Sequence, residues 1–310
     1  MTSKTEIEGE RILRQLLGQK TEYGGAFCYI TGAMGGGKTS AMHSWIMYTL
    51  KHHSNQKVFL SETYDAPLQA FKLGKENCKF FVKSESGVIF RDLNDGLKER
   101  DINQIYFDNY DNLWEKSENG KVNVVFFGDR TEWMTFIAFL RHKGSEWTHV
   151  FIDEIGEVIP SNTSGKLHKR IGQFAIFSKD FRKCRMKVIA NTQSIRDMDW
   201  RMLDKFMYRV FLPGAMADRK HSRIVQRAID NLEGSERDGN EAYIDRMGKF
   251  GLINFGDIFK PNPKYMIEAH NINKPEYISI EEEEEEDELP EKEVVEEEVE
   301  GGVIGTERGL

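Results

Sequence analysis

Residues 29–42, YITGAMGGGKTSAM, combine a glycine-rich stretch with a lysine and two hydroxyl residues. The spacing is G-x-x-x-x-G-K-[ST], with Gly32, Gly37, Lys38 and Thr39 at the defining positions. In this pattern a strand ends, the glycines let the backbone curl, and backbone N–H groups point at phosphate oxygens, aided by the positive end of the following helix. The stretch therefore predicts a site for a nucleoside triphosphate. The predicted binding residues are Gly32, Ala33, Met34, Gly35, Gly36, Gly37, Lys38, Thr39 and Ser40.

Such a loop needs an acidic partner at a neighbouring strand end. Lys38 is expected to reach the β- and γ-phosphates, and the Thr39 hydroxyl to coordinate Mg²⁺. The acidic candidates are Asp129, after VVFFG, and Asp153–Glu154, in HVFIDEI. The second is favoured because a hydrophobic strand places Asp153 at its tip as a metal ligand, where Glu154 can polarise a water molecule as a catalytic base. A carboxylate pair of this kind indicates hydrolysis, and Asp129 is predicted to be a turn residue.

Polar and basic residues follow this carboxylate pair. Gln193 ends the strand VIANTQ and is predicted to sense the γ-phosphate, with a loop-capping amide as the alternative. Residues 166–187 carry eight basic residues against the single acid Asp180. One interpretation is a solvated helix face; the other assigns some of them to DNA phosphates and one arginine to a neighbouring subunit's nucleotide. The eight are Lys166, Lys169, Arg170, Lys179, Arg182, Lys183, Arg185 and Lys187.

Hydrophobic periodicity supplies the elements that position these residues. Apolar strand patterns alternate with helical ones from residue 26 to residue 212, which predicts an α/β fold: a mainly parallel sheet covered by helices on both faces. The predicted helices are 5–18, 39–52, 131–142, 166–181 and a short one at 197–206, with a further one at 219–231. The predicted divisions are an N-terminal amphipathic helix (1–20), the phosphate-loop domain (21–212, with an insertion at about 63–120), a C-terminal appendage (213–280) and an acidic tail (281–310).

Composition limits the class of protein. The chain has 310 residues and a net charge of −8, but residues 281–300 alone carry −13, which leaves +5 for the other 290. The tail is predicted to be disordered, acting either as a solubilising segment or as a nucleic-acid mimic that docks on a basic surface. Three distant cysteines favour neither a zinc site nor disulfides, which suits a reducing interior. Without an 18-residue apolar run or a signal peptide, we expect no stable membrane insertion and a location in the host cytoplasm.

Four segments, in order, resemble the FtsK–HerA superfamily of P-loop ATPases, which pump DNA through ring-shaped assemblies. They are GAMGGGKT, HVFIDEI, FRKCRMKVIANTQS and MDWRMLDKFMYRVFL. The resemblance covers residues 26–212 and is greatest to virus genome-packaging ATPases and the Zot-like proteins of filamentous phages. Glu154 beside Asp153 marks the ASCE branch of these proteins. The matching positions after it are Arg182, Thr192–Gln193, and the cluster of Asp197, Asp199 and Arg201.

The resemblance implies an ASCE, RecA-like P-loop NTPase that uses ATP and Mg²⁺ to translocate double-stranded DNA, most specifically to package a viral genome. It implies a homo-oligomeric ring in which an arginine, Arg182, Arg185 or Arg209, completes the adjacent site in trans. Capsid or portal proteins would be partners, and the chain would associate with virions. Two alternatives stay open: a conjugation or plasmid-mobilisation ATPase, and a nucleotide-switched, Zot-like assembly factor that does not pump DNA. Zot-like proteins carry a membrane span, so the expected lack of one favours packaging over extrusion.

Overall fold

Helices and strands alternate through most of the described chain, which comprises residues 4–18, 24–95, 98–99, 102–143, 146–215, 241–255 and 266–273 of the computed structural model. The helices are α1 (Lys4–Leu17), α2 (Lys38–His52), α3 (Tyr110–Lys116), α4 (Trp133–His142), α5 (Ile155–Val158), α6 (Gly165–Ser178) and α7 (Trp200–Leu203). The strands are β1 (Ala26–Thr31), β2 (Lys57–Ser61), β3 (Cys78–Lys83), β4 (Val88–Asp92), β5 (Lys98–Glu99), β6 (Gln104–Phe107), β7 (Val122–Phe126), β8 (Thr148–Ile152), β9 (Met186–Thr192), β10 (Tyr208–Phe211), β11 (Glu241–Arg246), β12 (Lys249–Asn254) and β13 (Ile267–Asn271).

Ten of these strands form one sheet, in the order β12-β11-β10-β1-β9-β8-β2-β7-β3-β6. Every neighbouring pair from β10 to β6 is parallel, whereas β11 and β12 join antiparallel at one edge. Parallel strands need crossover connections, and here α2, α4 and α6 provide them. The predicted α/β class with a mainly parallel sheet is confirmed.

Hydrophobic cores lie on both faces of this sheet. Every residue of β1 is buried, as expected for a strand that is covered on both sides. Cys28 and Ile30 face a core shared with α1 and α2, whereas Phe27 and Tyr29 face a second core shared with α4 and α6. The predicted helical cover on both faces is therefore present.

The sheet order places β9 between β1 and β8. Thr31 at the end of β1 pairs with Thr192 at the end of β9, and Ile152 at the end of β8 pairs with Ala190. The carboxyl ends of parallel strands share one edge, which is where ligands bind in open α/β sheets. The loops after β1, β8 and β9 therefore meet at this edge.

The described parts of the predicted insertion and appendage join this core. Strands β3 and β6, from residues 63–120, extend the main sheet, and α1 packs on β11 and β12. Strand β13 pairs with β4 in a second sheet of three strands. Strands β11 and β12, from the predicted appendage, continue the central sheet, and the domain boundaries stay a prediction.

Two predicted features, the helix at 219–231 and the acidic tail at 281–310, lie outside the described residues. Among the residues that are described, no helix has the length and apolar character to cross a membrane.

Candidate functional site

The glycine-rich loop connects β1 to α2 at the edge where the strand ends meet. Gly35 and Gly37 have φ values of 75° and 84°, a region that glycine enters without a steric penalty. Gly37 is the N-cap of α2 and brings no side-chain cap. The first-turn N–H groups of Lys38, Thr39 and Ser40 lack acceptors within the helix, which makes this end of α2 a site for an anion.

Lys38 is buried and directed over the same loop. Its Nζ donates to the carbonyl oxygens of Gly32 at 3.0 Å and Ala33 at 2.8 Å. Burial lowers the pKa of Lys38, and the nearby carboxylates of Glu154 and Asp153 oppose that shift. The amine is thus a preorganised donor beside the helix end.

Asp153 follows β8 directly and faces the start of α2. Its Oδ1 lies 3.4 Å from Thr39 Oγ1 and also accepts a hydrogen bond from the Asn191 side chain. Burial raises the pKa of Asp153, and the hydrogen bond from Asn191 opposes this. A hydroxyl and a carboxylate oxygen are ligands of the type that Mg²⁺ takes, so this pair fits the metal that was predicted here.

Glu154 has an unusual backbone and a held side chain. Its φ of 50° is in the left-handed region, where a residue with a Cβ is strained by about 1–3 kcal/mol. Its Oε1 accepts a hydrogen bond from Thr192 Oγ1 at 3.0 Å, and its Oε2 accepts one from Gln193 N at 3.2 Å. Burial raises the pKa of Glu154, and the Thr192 hydrogen bond opposes that shift. The side chain of the candidate base is therefore held by hydrogen bonds to the end of β9.

Asn191 connects the two acidic residues, and the sequence interpretation missed it. Its Nδ2 donates to the Asp153 carboxylate, and its Oδ1 accepts from the backbone N–H of Glu154 at 2.7 Å. The side chain is buried in β9, between the strands that carry the phosphate loop and the carboxylates. Its signal in the sequence is an amide inside the apolar run VIAN.

Arg130 is a second residue that the interpretation missed. Its guanidinium is buried and donates to Ser61 Oγ at 3.1 Å, to the Asp153 carbonyl and to the Glu157 carboxylate. Its neighbour Asp129 accepts from Thr131 N at 2.8 Å and begins a 3₁₀ turn, so its predicted place in a turn is confirmed. Arg130 supports the strand end that presents the acidic pair.

The phosphate loop, Asp153, Glu154 and Asn191 line one cleft of about 480 Å³, within the range of ordinary ligand sites. Gln193 is exposed at its margin, so the structure brings together the loop, the acidic pair and the predicted sensor. A wall from residues 63–72 closes the other side. The lining residues are Met34, Gly35, Gly37, Lys38, Thr39, Ser40, Thr63, Tyr64, Ala66, Gln69, Lys72, Asp153, Glu154, Glu157, Asn191 and Gln193.

The three candidate arginines lie elsewhere. Arg182 is in a 3₁₀ turn before β9, at the opposite end of a seven-residue strand that spans about 20 Å. Arg185 immediately precedes the same strand, and Arg209 on β10 lies 3.7 Å from Asp245 on β11. Arg185 and Arg209 do not line the cleft of their own chain, and the action of Arg182, Arg185 or Arg209 in trans stays a prediction.

The basic residues of 166–187 divide into groups. Arg170 donates to Thr131 O and Thr135 Oγ1 at 2.8 Å, which ties α6 to α4. Lys187 is buried and donates to carbonyls at the end of α1, and burial lowers its pKa to about 7. Lys187 is therefore not part of a solvated helix face, because it is buried in a central strand, and the alternative that some of the eight residues bind DNA phosphates stays a prediction. The exposed members are Lys166, Lys169, Lys179, Lys183 and Arg185.

The predicted cluster after Gln193 is partly assembled. Asp199 caps α7 and pairs with Arg201 at 2.7 Å, whereas Asp197 lines an adjoining cleft that shares Glu154 and Glu157 with the first. Arg201 also contacts His168 on α6. This arrangement fixes the loop after β9 against α6.

Comparisons with known proteins give remote structural similarity. No protein-family model matches the sequence, and no curated protein matches it. Among solved structures, the chain is similar to the genome packaging NTPase B204 from Sulfolobus turreted icosahedral virus 2 in complex with AMPPCP, with 12% identity, 77% of this chain and 98% of that chain covered, and a TM-score of 0.44.

Two further matches have similar values. The N-terminal domain of zonular occludens toxin from Neisseria meningitidis is 12% identical over 78% of this chain and 96% of that one, with a TM-score of 0.34. VirB4 of Thermoanaerobacter pseudethanolicus is 12% identical over 80% of this chain and 93% of that one, with a TM-score of 0.46. A packaging NTPase and a Zot protein are the two kinds of protein that the motifs resemble, and this predicted resemblance is confirmed. TM-scores below 0.5 do not support an argument about mechanism, so the function of this chain has to be argued from its own site.

The fold and the site together define an α/β P-loop NTPase. The phosphate loop follows β1, the acidic pair follows β8, and Gln193 follows the intervening β9.

Proposed function

We propose that this chain is an ATPase that couples ATP hydrolysis to the translocation of double-stranded DNA, and that the DNA is a viral genome being packaged. The observation that carries the hydrolytic part is the cleft itself. The phosphate loop, the Asp153–Glu154 pair and Gln193 line one cavity although they come from three different strand ends. A site for binding alone would not need a half-buried carboxylate, Glu154, next to the metal-ligand position.

The residues of the cleft divide the chemistry. The loop N–H groups and Lys38 bind the β- and γ-phosphates, and Thr39 and Asp153 would hold Mg²⁺, which neutralises phosphate charge when bound. Glu154 accepts a proton from a water molecule as the water oxygen bonds to the γ-phosphorus and the bond to the bridging oxygen of ADP breaks. Gln193 shares the loop that holds Glu154, so loss of the γ-phosphate would be relayed to the segment after β9.

The DNA and ring parts of the proposal have separate support. The segment resemblance points to DNA pumps, and five exposed basic residues lie on or after α6, where they would meet backbone phosphates. An arginine in trans, Arg182 foremost, would complete each site in a homo-oligomeric ring, and capsid or portal proteins would receive the DNA. Such arginines contribute about 10³–10⁵ in rate, so an isolated subunit should hydrolyse ATP slowly.

The test measures ATP hydrolysis with and without linear double-stranded DNA, beside the native mass. Wild type should form an oligomer whose hydrolysis DNA stimulates. Glu154→Gln should still bind ATP but lose about 10²–10⁴ in turnover, because an amide accepts no proton from water. Glu115→Gln, the same change at an exposed position on α3, is the matched control and should behave as wild type.

Different failures identify different errors. Near-normal turnover in Glu154→Gln would remove that residue as the base. ATP binding with slow hydrolysis that DNA leaves unchanged would favour a nucleotide-switched assembly factor. A monomer with full activity would contradict an arginine in trans.

A further inference from the structure

A short 3₁₀ turn, Gln69–Leu73, forms part of the wall of the cleft that the phosphate loop also lines. A 3₁₀ turn has three residues per turn, so side chains three apart point the same way. Gln69 and Lys72 are three apart and both line the cleft, whereas Phe71 and Leu73 are buried in the core shared with α2. The turn therefore presents one polar side to the cleft and is held by its apolar side.

This wall is fixed by contacts that are distant in sequence. Glu62, which follows β2 and is buried, accepts a hydrogen bond from Gln69 N at 3.1 Å through Oε2. Leu68 N donates to Ile267 O of β13 at 2.8 Å. Burial and the nearby Asp153 raise the pKa of Glu62 to about 8. The position of the wall is thus set before any ligand arrives.

Lys72 places a positively charged side chain on this wall. It makes no hydrogen bond or ion pair with another residue in the part of the chain that the structure describes. Its charge lies near α2, because it contributes to the lowered pKa of His43 on that helix after the larger effect of burial. The cleft that Lys72 lines also contains Glu154, the candidate base, and Gln193, the predicted γ-phosphate sensor.

We propose that Lys72 binds the terminal phosphate of the nucleoside triphosphate from the same chain that supplies the phosphate loop. This inference rests on the proposed ATP site and adds a residue to it. An ammonium group without a protein partner on the wall of a phosphate site is satisfied by a phosphate oxygen, and a charge-assisted hydrogen bond forms. Part of the charge expected from a neighbouring arginine is then supplied in cis.

The test compares equilibrium affinities for β,γ-imido-ATP and for ADP in wild type and in Lys72→Met. Methionine keeps an unbranched apolar stem and removes the charge. Hydrogen bonds to charged groups contribute enough to change affinity about 10- to 100-fold, so affinity for the triphosphate should fall by that factor. Affinity for ADP should change less than about threefold, because ADP lacks the phosphate that Lys72 contacts.

Lys75→Met is the matched control. Gly74, with a φ of 90°, turns the chain, and Lys75 is exposed outside this cleft, so its loss should leave both affinities unchanged. Lys72→Arg keeps the charge and should retain most of the preference for triphosphate. A wild-type chain that binds neither nucleotide would overturn the proposed function and this inference with it. A wild type that binds both, with an unchanged affinity ratio in Lys72→Met, would overturn this inference alone.

Discussion

Removal of the Thr192 hydroxyl should move the pH dependence of ATP hydrolysis. Thr192 is fully buried, and its Oγ1 lies 3.0 Å from Glu154 Oε1 and 2.9 Å from Ser194 O. A hydroxyl has one proton, so it donates to these two acceptors in competition. When Glu154 is ionised, the bond to its carboxylate stabilises the charged form and lowers the pKa of Glu154, which burial raises.

The size of the effect follows from that competition. A hydrogen bond to a charged group contributes about 1.5–3 kcal/mol, and a shared proton places this one at about 1.5 kcal/mol. One pKa unit corresponds to about 1.4 kcal/mol, so Thr192→Val should raise the pKa of Glu154 by about one unit. A base works only when deprotonated. The acidic limb of the kcat profile should therefore move up by about one pH unit, with an approximately tenfold loss of rate below it and little loss on the plateau.

The assay is steady-state hydrolysis at saturating ATP across the acidic range, since kcat reports ionisation in the substrate complex. Thr49→Val is the matched control: Thr49 is equally buried, and its hydroxyl donates to Trp45 O within α2. Urea unfolding of both variants checks that the fold survives. A limb that stays in place, or moves to lower pH, would refute either Glu154 as the base or the hydroxyl as its partner.

Two further predictions concern buried charge and stability. His43→Leu should stabilise the fold by about 2 kcal/mol at pH 5: burial lowers the His43 pKa to about 3, so below about pH 6.5 the unfolded chain binds a proton that the folded chain does not. Arg130→Met should lower the free energy of unfolding by about 2–4 kcal/mol, because the buried Asp153 carbonyl and the other acceptors of its guanidinium lose their donor. Urea unfolding measures both.

Their controls are residues of the same type that are less buried. His142→Leu should leave the pH dependence of stability as in wild type, because His142 lies exposed at the end of α4. Arg141→Met should cost less than about 1 kcal/mol, since its pair with Asp180 is long, at 3.5 Å, and partly exposed. If the free energy of unfolding of His43→Leu still fell below pH 6.5 as in wild type, His43 would not be the group responsible. If Arg130→Met were as stable as Arg141→Met, the hydrogen bonds of Arg130 would not stabilise the fold as argued.

The acidic pair could be predicted from sequence because strand-end geometry is local. An apolar run followed by Asp153–Glu154 places both carboxylates at the strand tip in any parallel sheet. Arg130 could not be assigned in this way, since its acceptors at Ser61 and Asp153 come from other strands, 69 and 23 residues away. The turn that holds Lys72 depends on contacts from β13, almost 200 residues later, and no local pattern encodes them.

The hairpin of β11 and β12 shows a different limit. Its two turn residues, Met247 and Gly248, have φ values of 50° and 85°. A two-residue hairpin loop with two positive φ values usually carries Asn-Gly or Asp-Gly, which is the strongest short-range hairpin signal. Methionine at the first position removes that signal. The sequence therefore indicated extended segments before residue 277 but not that two of them pair as a hairpin.

Lys72 also contributes to the charge balance of the cleft, in addition to its proposed contact with the terminal phosphate. The charged side chains that line the cleft are Lys38, Lys72, Asp153, Glu154 and Glu157. Arg130 pairs with Glu157 from behind, so its charge is offset, and two cations then face two carboxylates. Without Lys72 one cation remains for two carboxylates, and the terminal phosphate loses the counter-charge proposed for it. The phosphate that each lysine is proposed to contact separates the two: loss of Lys38 should weaken triphosphate and diphosphate binding together, whereas loss of Lys72 should weaken mainly the triphosphate, because ADP lacks the terminal phosphate.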